Sequence, residues 1–235
     1  QQPVSEAILP RIPVSLELAG FAILLAMLGA TILNSIPFAR NFLSTLNTGA
    51  SVIGITVPNF MLGISLIYVL SVKLHWLPTS GWVNWSDDPG EHIRRLIMPM
   101  ITLSAFYFGS FTLVYRAEYR AVYRQLFIKV ARAKGIRRGV ILRKHALRNA
   151  LPPIATICGL QLGYLMGGVL FVEVVFAWPG IGYQLWQAIQ ARDIPTIQGA
   201  SLIIGASFVA VNLAVDVFNA FTDPKIRISE GVRSR

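Results

Sequence analysis

Five stretches of this chain are almost free of charge: residues 14–36, where Glu17 is the sole exception, then 49–72, 96–115, 149–172 and 194–215. Each is about twenty residues or longer, the length a helix rising 1.5 Å per residue needs to cross a hydrocarbon core about 30 Å thick. Inside that core the backbone must satisfy its own hydrogen bonds, which a helix does internally. The period-two alternation of a membrane β-barrel is absent. The pattern predicts an all-α, polytopic helical membrane protein with five transmembrane helices, at about 14–36, 49–72, 96–115, 151–173 and 195–219.

Prolines and glycines punctuate these windows. Pro13 suits the first turn of the first span and Pro37 its end. Pro58 lies inside the second span and predicts a kink, while Gly54 and Gly63 leave room there for neighbouring helices. The third span contains Pro99 and runs on without a breaker. Gly159, Gly163 and Gly167 repeat every four residues in the fourth, a spacing that permits close helix contact in lipid. Trp76, Trp82 and Trp85 fall in the connection after the second span and fit an interfacial aromatic belt. After the fourth, Trp178-Pro179-Gly180-Ile181-Gly182 precedes a short helix reaching Ala191.

The charges sharpen this picture. Only 14% of residues are charged, against about 25% in an ordinary globular domain. The net charge is +10, and eleven of the twenty-one Lys and Arg lie between 116 and 148 beside one acid, Glu118. With the N-terminus outside, sixteen basic residues fall on the inner side and five on the outer, as the positive-inside rule favours. The block 116–150 is then a cytoplasmic loop rather than a nucleic-acid surface, residues 1–13 an external segment and 228–235 a cytoplasmic tail. Anionic lipid headgroups are a secondary partner for its charge. Within the block, Tyr115, Tyr119, Tyr123 and Phe127 recur beside Arg116, Arg120 and Arg124 at helical spacing. Gly135 is placed to cap that helix at its C-terminus, and a second short helix is expected over 138–149. The single Cys158 lies in a span and can form no intrachain disulfide. The chain opens Gln1-Gln2-Pro3 with no signal-peptide pattern, which suggests that an upstream span is missing from it.

Catalytic patterns are lacking. There is no phosphate-binding Gly-x-x-x-x-Gly-Lys-Ser/Thr loop, no Gly-x-Ser-x-Gly elbow, and His75, His92 and His145 are scattered. A non-catalytic transport subunit is expected. Glu173 and Asp216 are the acids near span interiors. Glu173 either hydrogen-bonds the adjacent loop, the favoured reading, or contacts a passing solute; Asp216 is equally a functional ionisable group or a packing partner of Asn212. Gln161 and Tyr164 are further candidates for the translocation path, and His145 reads more simply as a polar residue at a helix end.

Val130-Ala131-Arg132-Ala133-Lys134-Gly135, followed by His145-Ala146-Leu147-Arg148-Asn149-Ala150-Leu151-Pro152, resembles the cytoplasmic "EAA" loop of ABC importer permeases. The likeness is greatest to the dipeptide, oligopeptide and nickel branch. Gly167-Gly168, Glu173, Phe176, Pro179-Gly180, Ala191-Arg192-Asp193, Gln198-Gly199, Asn212 with Asp216, and Asp223-Pro224-Lys225-Ile226-Arg227 extend it from about Pro13 to Arg227. The resemblance implies one membrane domain over 14–227 of the type I importer architecture in a bacterial or archaeal inner membrane. It also implies a homologous second permease, an external solute-binding protein and two cytoplasmic ATPases that bind ATP and Mg, with no cofactor in this chain. Phe127, Val130, Ala131, Arg132, Ala133, Lys134, Gly135 and His145 would form the loop that docks on an ATPase. Small Ala131, Ala133 and Gly135 would allow close approach there. The chain departs from the family in lacking the first of six usual spans, in Ala121 and Leu126 where Glu and Asp are common, and in Arg148 where the general pattern has Pro. A stand-alone channel or secondary transporter would call for paired intramembrane charges or internally symmetric broken helices. A non-functional permease remnant is a third reading, suggested by the missing span.

Overall fold

The structure is a computed structural model and describes residues 4–35, 42–136, 140, 161 and 168–222. The helix expected at 138–149 with His145, the glycine triad, Tyr164 and the tail from 223 onward lie outside the described residues, as do the side chains of Arg132 and Asp216. Among the described residues all regular structure is helical. The helices are α1 (Val4–Ile8), α2 (Ile12–Ser35), α3 (Phe42–Thr56), α4 (Asn59–Leu66, continued as a π-helix over Ile67–Lys73), α5 (Pro89–Tyr123), α6 (Leu126–Ala133), α7 (Gly168–Phe176), α8 (Ile181–Ala191) and α9 (Ile194–Thr222).

Three helical stretches, Val4–Asn34, Pro89–Glu118 and Ile194–Ala214, are each long and apolar enough to cross a membrane. Two bent pairs raise the number to five if each pair is one span. The first pair corrects the expected kink at Pro58. Pro58 has ψ 137° and supplies no N–H, so α3 stops at Thr56 and a new helix starts at Asn59, turned by 114°. The second pair joins α7 to α8 at 73°. The first helical stretch also begins earlier than Pro13. Pro10 tightens residues Leu9–Arg11 into a 3-10 turn between α1 and α2, and the Arg11 Nε donates to Ala7 O at 3.0 Å across it. Residues 4–13 are therefore helical, and Ile8 is buried with Ile181 of α8 and Ala200 of α9.

The core forms chiefly where α5 lies along α2. Ala19, Ala22, Ala26 and Ala30 place a buried row of small side chains on α2; Leu103, Tyr107, Phe111 and Tyr115 place a buried row of large ones on α5, every four residues. Small against large lets two helices approach closely where lipid offers no hydrophobic drive of its own. The start of α5 is set locally. Asp88 accepts the N–H of Glu91 at 3.0 Å, and Pro89 supplies a pre-formed first turn. Pro99 does not break the helix. On the other side of α5, Gly54 of α3 sits on the Ala105 carbonyl oxygen and Gly109 of α5 on the Ser51 carbonyl oxygen, so each backbone fills the space the other's missing side chain leaves. Gly63 of α4 meets Phe176 and Thr102, where an added Cβ would lie 3.1 Å from the Phe176 ring.

Candidate functional site

The helix expected to run unbroken from the third span to Gly135 is two helices. The α5 helix ends at Tyr123, and α6 restarts when Ile128 N and Lys129 N both turn to Gln125 O, at 3.2 and 3.4 Å. The aromatic series divides accordingly. Tyr115 is buried and completes the α5 core row, whereas Phe127 is on α6 and exposed.

Two opposite faces make α6 amphipathic. Ile128 and Ala131, three residues apart, are buried together. Leu126, Val130 and Ala133 fall on the other side with Phe127 at its edge, and all four are exposed. Leu126 is 75% exposed, the value of a side chain with nothing over it. Lys129 and Lys134 are exposed beside this apolar face. Ala131 therefore packs inward with Ile128, while Leu126, read from the sequence only as a departure, stands at the centre of the exposed apolar side. The i, i+4, i+7 spacing of 126, 130 and 133 was the available signal.

Gly135 ends this segment as expected, for a conformational reason. Its φ is +73°, and Ile136 N bonds back to Ala131 O at 3.2 Å, the long return bond of a left-handed helix stop. A Cβ there would meet nothing within 4 Å. Gly135→Ala should therefore cost about 1 kcal/mol through backbone strain alone, and Gly135→Asn less. Hydrogen exchange of the amides of 131–136 checks this: several-fold faster exchange is expected in the alanine variant.

In the last turns of α5, towards α6, a polar cluster joins three helices. Arg116 donates through Nε to Asn34 Oδ1 of α2 at 3.1 Å and through Nη1 to Thr48 Oγ1 of α3. Asn47 Nδ2 reaches the same Asn34 oxygen at 3.2 Å, and Asn34 Nδ2 donates to Ala30 O at 2.7 Å. The charge periodicity around Arg116 gave no hint of these neutral partners; the lone amides at the span ends were the legible trace.

At the opposite end, Glu173 is fully buried and serves as a helix cap in trans. Ser15 Oγ donates to its Oε1 at 2.5 Å and itself accepts Ile181 N–H at 2.9 Å. Glu173 Oε2 accepts Tyr183 N–H at 3.0 Å, and the Gly182 N–H bonds the same carboxylate. Three otherwise unpaired amides at the start of α8 are thus satisfied by α2 and α7 together, and a carboxylate suits the positive end of the helix dipole. A small cavity of about 20 Å³ lies beside this cap, between Glu173, Ser15, Ile204 and Ser207. Gln161 donates to Ser110 Oγ of α5 at 2.7 Å. Asn212, paired in expectation with Asp216, donates along its own helix to Phe208 O at 3.0 Å. These candidates are therefore not gathered at one place. Among the described residues no three His, Cys, Asp or Glu side chains come together as a metal site.

Residues 22–228 match the family described as binding-protein-dependent transport system inner membrane component. The chain is 38% identical over 230 residues to a protein of Brucella abortus (strain 2308) provisionally named a peptide transport system permease protein, covering 96% of this chain and 73% of that one. It is 41% identical over 177 residues to the glutathione transport system permease protein GsiC of Escherichia coli (strain K12), covering 75% of this chain and 55% of that one. Its fold is similar to that of an amino acid ABC transporter crystallised with histidines, with a TM-score of 0.72 over 92% of this chain and 94% of that one, at 13% identity. The channel and secondary-transporter readings fall with these likenesses. The chain belongs to the inner-membrane components of binding-protein-dependent transport systems, and is a multi-pass, non-catalytic permease subunit of an ABC importer.

Proposed function

We propose that this chain pairs with a homologous permease to form the path for peptides or similar small solutes, and that α6 couples it to an ATPase. The supporting observation is the free apolar face of Leu126, Val130 and Ala133 with Phe127 at its edge, backed by the buried pair Ile128 and Ala131. A short helix held by one face to its own chain and bare on the other is built for a groove in a partner. Lys129 and Lys134 suit acidic groups around such a groove. In this reading residues 116–150 face the cytoplasm, where two ATPase subunits bind ATP with Mg, and the start of the chain faces the binding protein outside. The C-terminus is cytoplasmic, and lipid rather than nucleic acid surrounds the rest. The names of the two relatives favour peptides and glutathione as cargo; nickel has no support from them.

The reading is tested by co-purification. Val130→Glu places a charge on the bare face and should reduce ATPase recovery at least about tenfold, the loss of about 1.4 kcal/mol or more that a buried interface charge brings. Membrane insertion should persist, because Val130 is an exposed side chain outside the membrane-spanning helices. Full recovery of an active ATPase with the Val130→Glu chain would overturn the assignment. Ala131→Glu is the less clean variant, since it would also disturb the contact with Ile128.

A further inference from the structure

The Glu173 cap borders a small cavity on its α9 side. The cavity measures about 20 Å³ and lies between Ser15 of α2, Leu170 and Glu173 of α7, and Ile204 and Ser207 of α9. A water molecule needs about 10–15 Å³ of such space and two to four polar partners. The size therefore admits one water and little more, and the polar groups around it decide whether the place is wet.

Its polar walls have hydrogen-bonding capacity to spare. A carboxylate offers about four acceptor positions and a serine oxygen about two. Three donors reach Glu173, the Ser15 hydroxyl and the N–H groups of Gly182 and Tyr183. The start of α8 closes tightly over that side: a Cβ on Gly182 would lie 2.6 Å from Leu170 Cα and 2.9 Å from Glu173 Oε2. The cavity is thus the open approach to the fourth position. Were the carboxyl protonated, its O–H would need an acceptor there instead, and water serves either form. Ser15 uses its proton on Glu173 and one lone pair on Ile181 N–H, which leaves its other lone pair. On the far wall, Ser207 makes no hydrogen bond among the described residues. The Ser51, Ser65 and Thr102 hydroxyls behave differently, each turning back to the carbonyl four residues earlier, at 2.6, 2.8 and 2.8 Å. A metal cation fits the place less well than water, because it would face the N–H groups at the positive end of the α8 dipole.

We propose that this cavity is a binding site for one water molecule, which completes the hydrogen bonding of Glu173, takes up the Ser207 hydroxyl, and so ties α9 to the joint between α7 and α8. The site does not depend on the permease reading above. Its effect is on how α9 is held. Thr196 and Asn212 bond at the start of α9 and within it, to Asp193 at 2.6 Å and to Phe208 O at 3.0 Å. The water carries a polar link from α9 across to α7 instead, and through Ser15 to α2.

Two measurements on the purified full chain test this. The first is a density map fine enough to show ordered water, in which a peak is expected within hydrogen-bonding distance of both Glu173 and Ser207. The second is the melting temperature of Ser207→Val. Serine and valine have similar helix propensities, and the valine methyls would occupy the cavity. Expelling a bound water leaves Glu173 short of a partner, so the melting temperature should fall by about 2–4 °C. Filling a dry cavity has the opposite sign and should raise it. A peak in the parent that is lost in Ser207→Val, with the lower melting temperature, is the expected result. No peak in the parent beside ordered waters seen elsewhere overturns the site, and so does a variant that melts at the parent's temperature or above. A peak ringed by oxygens and lost when choline replaces the metal ions of the buffer also overturns it, in favour of a cation. Should Ser207→Val fail to fold, the parent's map still decides.

Discussion

Gly109→Leu is expected to prevent α3 from seating on α5, giving a chain that inserts into the membrane but does not survive extraction as a folded unit. A Cβ at Gly109 would run into the Ser51 carbonyl oxygen and come within 2.8 Å of Ile55. The first obstacle is backbone, so no rotamer change relieves it. Gly54 meets the Ala105 carbonyl oxygen from the opposite side, and the helices cannot slide to favour one contact without worsening the other. Overpacking of a well-filled core costs about 1–3 kcal/mol when side chains can yield; here the cost should exceed that range. Thermal stability in detergent and limited proteolysis give the measure. Gly205→Leu on α9 is the control, since a Cβ there meets nothing within 4 Å and leucine is the better helix former. Equal melting of the Gly109→Leu protein and its parent would show that the two helices do not meet at this point.

Glu173→Ala should be nearly as damaging, by leaving polar groups bare rather than by crowding. The variant strips the Ser15 hydroxyl of its acceptor and the N–H groups of Gly182 and Tyr183 of theirs, all in a buried place. Hydrogen bonds to a charged group contribute about 1.5–3 kcal/mol each, and leaving donors bare adds desolvation. A loss of about 3 kcal/mol or more is expected, seen as a lower melting temperature of the purified complex. Ser15→Ala should cost less, about 1 kcal/mol, because Glu173 still holds two of the three amides. The order of effects discriminates between roles. Were Glu173 a solute contact, its removal would spare stability and depress uptake alone.

The long helices were legible because uninterrupted apolar length is a strong signal: the α2, α5 and α9 windows appear nearly where charge-free runs placed them. The stop at Gly135 was legible for the same kind of reason, since a glycine after a periodic run has few other uses. The break between Tyr123 and Leu126 was not, because neither Arg124 nor Gln125 is a breaker and the aromatic spacing runs straight through them. Pro58 was correctly seen as a disturbance, but a proline's position does not reveal whether the chain bends slightly or turns by 114°. The knots were the least legible. Ser15 and Glu173 are 158 positions apart, and nothing local ties Glu17 of α2 to His92 of α5, whose Nε2 lies 2.9 Å from it. The sequence did mark Glu17 as out of place, and an acid in an apolar window is the trace such a pair leaves. For the proposed docking face, the sequence pointed to the small residues of 131–135; of these Ala131 is buried, and the large exposed apolar side chains beside them are Leu126 and Val130.

The α5 helix has 35 residues, about 52 Å at 1.5 Å per residue, well beyond a hydrocarbon thickness of about 30 Å. It carries His92 near one end, leads into α6 at the other, and meets α3 between them at Gly109. Measured along the axis, Gly109 lies about 21 Å from Tyr123 and about 30 Å from Pro89. Gly109 therefore divides the helix into unequal arms, the shorter on the α6 side. Were the helix to tilt about that point, Pro89 would move roughly 1.4 times as far as Tyr123.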